Sequence, residues 1–95
     1  MITWKNYRLR LVQRRHPLRC QICGTFEKVD FHHVMSRSEY PELECTDSNI
    51  VELCRRHHFI VGHKGNWSIN NPDFWRDFEN MRRIHNKTIF NHGKI

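Results

Sequence analysis

Apolar and polar positions recur along this chain with two different periods, and the changes of period mark out its elements. Near the start, Trp4, Tyr7 or Arg8, Leu11 and Val12 follow helical spacing behind Thr3, whose hydroxyl suits an N-cap; Pro17 stops the run. Cys20-Gln21-Ile22-Cys23-Gly24 reads as a tight turn. From Lys28 to Val34 the period drops to two, which predicts a strand with Val29, Phe31 and His33 on one face and Asp30 and His32 on the other. Residues 35–49 are polar and contain Pro41, the pattern of a long and functional loop. Ile50-Val51-Glu52-Leu53 is short and β-branched, a second strand, and Cys54 to Val61 predicts a helix ended by Gly62. A loop through Gly65-Asn66-Trp67-Ser68 leads to Asn71-Pro72-Asp73, an N-cap, a proline and an acid in the order that opens a helix. That helix, over 72–86, places Phe74, Trp75, Phe78, Met81 and Ile84 in a core-facing stripe. The order helix, strand, strand, helix, helix predicts a small α+β domain.

Ninety-five residues allow one core, so 1–95 is read as a single domain: a basic helical extension over 1–19, a core over 20–63 and the helix over 72–86. Only 38% of the residues are apolar, which leaves a small core in need of a staple. No apolar run is long enough to span a membrane as a helix. Met1-Ile2-Thr3-Trp4-Lys5 lacks the apolar stretch of a signal peptide, so a reducing cytoplasm is the expected compartment. There, four cysteines point to metal ligands before disulfides.

Charge sharpens the picture. Sixteen basic residues face ten acidic ones, and residues 1–19 hold Lys5, Arg8, Arg10, Arg14, Arg15 and Arg19 without an acid. Such a patch suits a polyphosphate partner, although charge alone also fits a solvated face. Eight histidines add metal or acid–base chemistry to the candidates.

Two constellations carry that chemistry. Cys20-x2-Cys23 and Cys54-x2-His57 are two pairs with the spacing that lets each present both donors to one ion, together a tetrahedral Cys3His zinc site. Cys45 lies outside both pairs and reads as an ordinary thiol. The second constellation is His32-His33 at the end of the first strand, Asn49 before the second, and His58 beside His57. Strand alternation gives the adjacent histidines different jobs, one toward a metal and the other toward a substrate.

Cys20-x2-Cys23, His32-His33, Asp47-Ser48-Asn49-Ile50 and Leu53-Cys54-x2-His57-His58 resemble the zinc-containing HNH nucleases, a family of phages, mobile elements and restriction systems. The likeness covers residues 20–63 and extends to the segment from His33-Val34-Met35 to Tyr40-Pro41-Glu42-Leu43, which looks like a loop of phage members. It implies a small zinc-stapled ββα-metal fold, treble-clef-like, with flanking N- and C-terminal helices, and a cytoplasmic location in a host cell. It also implies hydrolysis of DNA phosphodiesters to 5′-phosphate and 3′-hydroxyl ends, by nicking or double-strand cleavage. Carried across, it makes His33 the general base and Asn49 the residue that orients the base and fixes the loop. His32 and His58 become ligands of a catalytic divalent metal, with His63 a further candidate five residues on; helical offsets are three or four, so Gly62 would have to unwind the turn for His63 to join. The family's usual fourth zinc ligand is cysteine, where this chain has His57, so His57 and His58 both stand as candidates for that position.

Imidazole ligands suit Mn²⁺, Ni²⁺, Co²⁺ or Zn²⁺ better than Mg²⁺. Arg37, Arg55 and Arg56 are candidates for phosphates near the chemistry, and Arg8, Arg14 and Arg15 for flanking DNA. The alternative is a non-catalytic zinc-stapled DNA-binding module, which would need the zinc frame but not the set His32, His33, Asn49 and His58.

Overall fold

The computed structural model describes residues 2–93, with side chains as far as residue 86. Helix α1 spans Trp4–Arg14, and the Thr3 hydroxyl accepts a hydrogen bond from the Asn6 amide at 3.3 Å, as its N-cap role requires. One residue of α1, Leu11, is fully buried. The rest of its attachment is polar and aromatic. Arg14 makes a two-pronged pair with Asp47 at 2.9 and 3.1 Å. Arg15 donates to the carbonyls of Ile50 and Asp47 and to the buried Glu52 carboxylate, at 3.1–3.2 Å.

Next comes a knuckle in which the Gly24 amide reaches back to the Cys20 carbonyl and the Cys20 amide to that of Thr25, both at 2.9 Å. Gly24 sits at φ +77°, and a Cβ there would stand 3.0 Å from the Arg19 guanidinium. The Gln21 amide, bonded to the Glu52 carbonyl at 2.9 Å, docks the knuckle onto the sheet.

Strands β1 (Val29–His33) and β2 (Ile50–Cys54) pair antiparallel, from Val29 opposite Cys54 to His33 opposite Ile50. The long loop between them carries two short 3₁₀ turns, Pro41–Leu43 and Asp47–Asn49. All five residues of β2 are buried: Val51, Leu53 and Cys54 pack with Cys20 and Ile22 of the knuckle and with Phe74 and Phe78 of the C-terminal helix, and Arg15 bonds Ile50 and Glu52.

The expected helix from Cys54 to Val61 takes a different form. Cys54 is still strand, and the Arg55 amide extends the ladder by bonding Lys28 at 2.9 Å. Only Arg55–His57 is α-helical (α2); it runs directly into a π-helical turn, His58–Gly62. The His63 amide bonds the His58 carbonyl five residues back, at 3.0 Å.

Helix α3, Phe74–Gly93, starts later than the expected position 72 and runs beyond 86. Asn71 explains its start: buried, it accepts from the Asp73 amide at 2.9 Å and donates to Val61 and to Asp77. Pro72 and Asp73 therefore form an entry turn, and the first helical bond runs from Asp77 to Asp73. The buried stripe is also narrower than expected. Phe74 and Phe78 enter the core with Met81 against it, whereas Trp75 and Ile84 are 50% and 60% exposed. The stripe follows i, i+4, i+7, which leaves 75 and 84 off its axis.

Cys20, Ile22, Leu53, Cys54, Val61 and Phe74 form the centre of the core. Among the described residues the result is a small α+β unit with a two-stranded antiparallel sheet and three helices. Among the described residues no helix is long and apolar enough to cross a membrane.

The two arginines at the end of α1 make contrasting predictions. Arg15→Ala takes this donor from the nearly buried Glu52 carboxylate and from the Ile50 carbonyl, while the Asp47 carbonyl keeps the Ile50 amide, and should cost about 2–3 kcal/mol. Arg14→Ala breaks an exposed pair and should cost under about 1 kcal/mol. Urea unfolding followed by tryptophan fluorescence checks both; equal losses would contradict this account of how α1 is held.

Candidate metal centres

Two groups of donor atoms converge in the chain. The first joins the knuckle to the end of β2. Cys20 Sγ lies 3.6 Å from His57 Nδ1, Cys54 Sγ lies 3.3 Å from the same nitrogen, and Cys23 Sγ lies 3.9 Å from Cys54 Sγ. With metal–sulfur bonds of about 2.3 Å and metal–nitrogen bonds of about 2.0–2.1 Å, a tetrahedron has edges of about 3.8 Å between sulfurs and about 3.6 Å between sulfur and nitrogen. These four residues therefore could hold a metal ion at a spacing already close to that geometry. The helical step from Cys54 to His57 puts both over the knuckle, while His58 turns away to the other cluster. Cys45 stands apart, with its sulfur 4.0 Å from the Ile2 carbonyl.

Burial and the neighbouring Cys20 and Cys23 push the Cys54 thiol up to about 11 against a bond from the His57 backbone. Burial also works on Cys20, but backbone amides of Cys23, Cys54 and Ile22 outweigh it and hold that thiol low. A bound cation removes the conflict, because it is the counter-charge that a set of thiolates lacks.

The second group is His32, His58 and His63, with donor nitrogens within 4.8 Å of one another. His58 Nδ1 is 3.1 Å from Asp30 Oδ2, and His63 Nδ1 is 2.7 Å from the Ile69 carbonyl. Both oxygens only accept, so each Nδ1 carries its proton and each Nε2 a lone pair. Those two Nε2 atoms face each other at 3.1 Å. Two lone pairs at that distance repel unless a proton or a cation lies between them. Histidines that bind metal are oriented in this way, with the far ring nitrogen donating to a carboxylate or carbonyl. His32, 2% exposed, supplies the third ring, and its Nε2 is buried without a hydrogen-bond partner. An orphaned buried nitrogen is costly unless a ligand completes it.

Desolvation, reinforced by His58, His63 and His33, holds His32 down to about 3, so its imidazole is neutral at pH 7. Burial lowers His58 as well, against the pull of Asp30. Burial also works against the Asp30 carboxylate, yet Arg55 and His58 keep it below the usual range.

The π-turn is what brings His63 into this group. An α-helix puts offsets of three and four on one face, and an offset of five meets only because the turn is widened. Gly62 makes room within it: a Cβ there would lie 3.0 Å from His32 Nδ1 and 3.0 Å from His58 Cδ2.

His33 points to the opposite face of β1. Its Nε2 is 2.9 Å from the Glu44 carbonyl, so Nε2 carries the proton and Nδ1 the lone pair. Trp4 packs against the ring at 4.5 Å between centroids. Burial lowers its pKa, the Glu44 bond opposes that, and Arg37 adds to the lowering. Both faces of the strand end meet at one cavity of about 460 Å³ lined by His32, His33, His58 and His63.

Asn49 makes no bond to His33 among the described residues. It clamps the loop instead: Met35 donates to its Oδ1 at 2.7 Å, and its Nδ2 donates to the carbonyls of Met35 and Leu43 at 3.0 and 3.2 Å. Glu44, which holds His33, follows Leu43 directly, so Asn49 reaches the histidine through the loop.

The arginines divide. Arg8, Arg37 and Arg55 line a groove of about 400 Å³ together with His33 and His58, with Arg55 in a two-pronged pair to Asp30 at 2.7 and 3.1 Å, and Arg56 is exposed on α2. Arg14 and Arg15, candidates for DNA, instead commit their donors inside the chain. Sequence reasoning did not single out Asp30, Trp67 or Trp4; of these, Asp30 was legible, since it shares a strand face with His32.

Comparison with protein-family models, with curated proteins and with solved structures returned no match.

Two substitutions probe these centres. Cys54→Ser should cost the chain its cysteine-bound metal and its cooperative melting, while Cys45→Ser changes neither; metal analysis and calorimetry read both. Gly62→Ala should drive the His32 and His58 rings apart at a cost of about 1–3 kcal/mol, with fewer equivalents of divalent metal bound in equilibrium dialysis.

Proposed function

We propose that this chain is a metal-dependent endonuclease of the HNH type that hydrolyses DNA phosphodiester bonds. The observation that carries the reading is the opposition of two kinds of histidine at one strand end: His33, with a free Nδ1 lone pair, beside the lone-pair cluster of His32, His58 and His63. A module that only binds DNA needs neither. The arginines on the same groove, and the resemblance of the motif to the HNH family, agree with it.

In this reading Cys20, Cys23, Cys54 and His57 hold a structural Zn²⁺, for which three thiolates and an imidazole are a suitable donor set. His32, His58 and His63 hold a divalent ion, with Mn²⁺, Ni²⁺, Co²⁺ and Zn²⁺ better matched to imidazole than Mg²⁺. That ion, when bound, supplies Lewis acidity for the charge that builds on the phosphate and the leaving 3′-oxygen. His33 Nδ1 takes the proton of the attacking water; its partner at Glu44 fixes the tautomer that makes this possible. The depressed pKa keeps His33 neutral and able to accept at pH 7. Asn49 is a positioning residue, acting through the loop that carries Glu44. Arg8, Arg37 and Arg55 draw the phosphates to the groove.

The test is nicking of supercoiled plasmid over a panel of divalent metals, paired with calorimetric metal titration of zinc-loaded protein. His33→Ala should lower nicking by about 10²–10⁴-fold, the usual worth of a general base, with metal affinity retained. His32→Ala and His58→Ala should weaken binding of the second metal, and Asn49→Ala should bind metal and cut slowly. If every variant cuts like the parent, the nuclease reading is wrong; if the parent binds DNA but never cuts, the chain is the binding module instead.

A further inference from the structure

We propose that the groove beside the histidine cluster takes an unpaired nucleic-acid strand and stacks one of its bases on Trp67, a deepening that rests on the nuclease reading above. Trp67 lies in the loop between the π-turn and α3. Its ring sits 5.1 Å from His58, 4.9 Å from His63 and 5.1 Å from Phe59, centroid to centroid, yet 52% of the residue is exposed. The loop is not free to fold the indole away. The Gly65 amide is tied to Phe59 at 2.8 Å, Asn66 to His63 at 3.0 Å, and Ile69 to Asn66 at 3.1 Å, while Ser68 donates to the Asn66 side chain at 2.9 Å. A large apolar ring is thus held half in solvent, against the histidines where chemistry is proposed.

The other aromatic rings of the groove are covered. Arg37 stands over Trp4 and Arg8 over Phe31, each 5.9 Å from the centroid, and His33 takes a further side of Trp4. Among the described residues no arginine stands over Trp67. The groove therefore joins the guanidinium groups of Arg8 and Arg37, which attract any phosphate backbone, to one open aromatic surface, which discriminates; Arg55 beside them is paired with Asp30. In a duplex the faces of the bases are hidden within the stack. An unpaired or extruded base offers its face, and stacking on an aromatic side chain is tolerant of sequence.

Binding is measured separately from cleavage by fluorescence anisotropy, with zinc-loaded His33→Ala protein and two probes: a labelled oligothymidylate and a labelled duplex of the same length. The expected result is tighter binding of the single strand. Adding Trp67→Leu should weaken the single strand by about 5- to 150-fold, the range of one base stacked on an aromatic. Trp67→Phe should recover part of that loss, and the duplex affinity should move much less. Metal content and melting of each variant confirm that the centres are intact. Equal affinity for both probes, or equal loss on both with Trp67→Leu, overturns the inference and leaves the nuclease reading standing. Failure of the parent to bind either probe overturns both.

Discussion

A two-stranded ladder is marginal by itself, and here its register decides where every chemical group lies. His32 pairs with Val51 and His33 with Ile50. Alternation then sends one imidazole to the π-turn and the other to the loop. A slip of one residue would exchange them, taking His33 from the Glu44 carbonyl and His32 from Gly62. The same register sets Val29 opposite Cys54, so the last strand residue is also a sulfur donor, and the helix that follows begins within reach of the knuckle. Few apolar residues hold that alignment. What fixes it is the convergence of Cys20, Cys23, Cys54 and His57, with Leu53 and Phe74 behind them. A metal in that cluster would tie the start of β1 and the end of β2 to the knuckle at one point, a constraint that burial in so small a core does not supply alone.

Local rules read from the chain reach as far as local physics does. Period two placed His32 and His33 on opposite faces, and the structure has them there. The Thr3 cap and the helical run behind it also agree. Spacing placed Cys20, Cys23, Cys54 and His57 together because pairs separated by two residues converge in any turn or helix start. The π-turn was legible only as a condition on His63, since nothing in His58-Phe59-Ile60-Val61-Gly62 departs from an ordinary helical pattern. Its cause lies outside the segment: Asn71 and Val61 bond across it, Gly62 bonds Asn71, and His32 presses on Gly62. Such a tertiary demand leaves only a glycine as its trace.

Charge was legible in amount but not in use. Six basic residues precede Cys20 without an acid, a pattern that suits phosphate. Yet Arg14 and Arg15 have their acceptors at Asp47, Ile50 and Glu52, more than thirty positions away. Sequence neighbours cannot show this, because the partners meet only once β2 has paired. The basic start of the chain is thus partly a docking device. It seats α1 so that Trp4 covers His33, which makes the extension part of the site's support.

The histidine cluster sets stability against function in a specific way. Burying three imidazoles costs desolvation, and orienting two of them by Asp30 and Ile69 points lone pairs at each other. Fully protonated rings would repel more strongly still, as the low pKa of His32 expresses. An apolar replacement would pack this end of the sheet with less strain. The arrangement therefore costs stability unless a cation lies between the rings, against which Phe74 and Trp67 pack. Two opposed lone pairs at His58 and His63, and a buried nitrogen without a partner at His32, all of which a single cation would satisfy, are the physical reason to read these histidines as a candidate site and not as core.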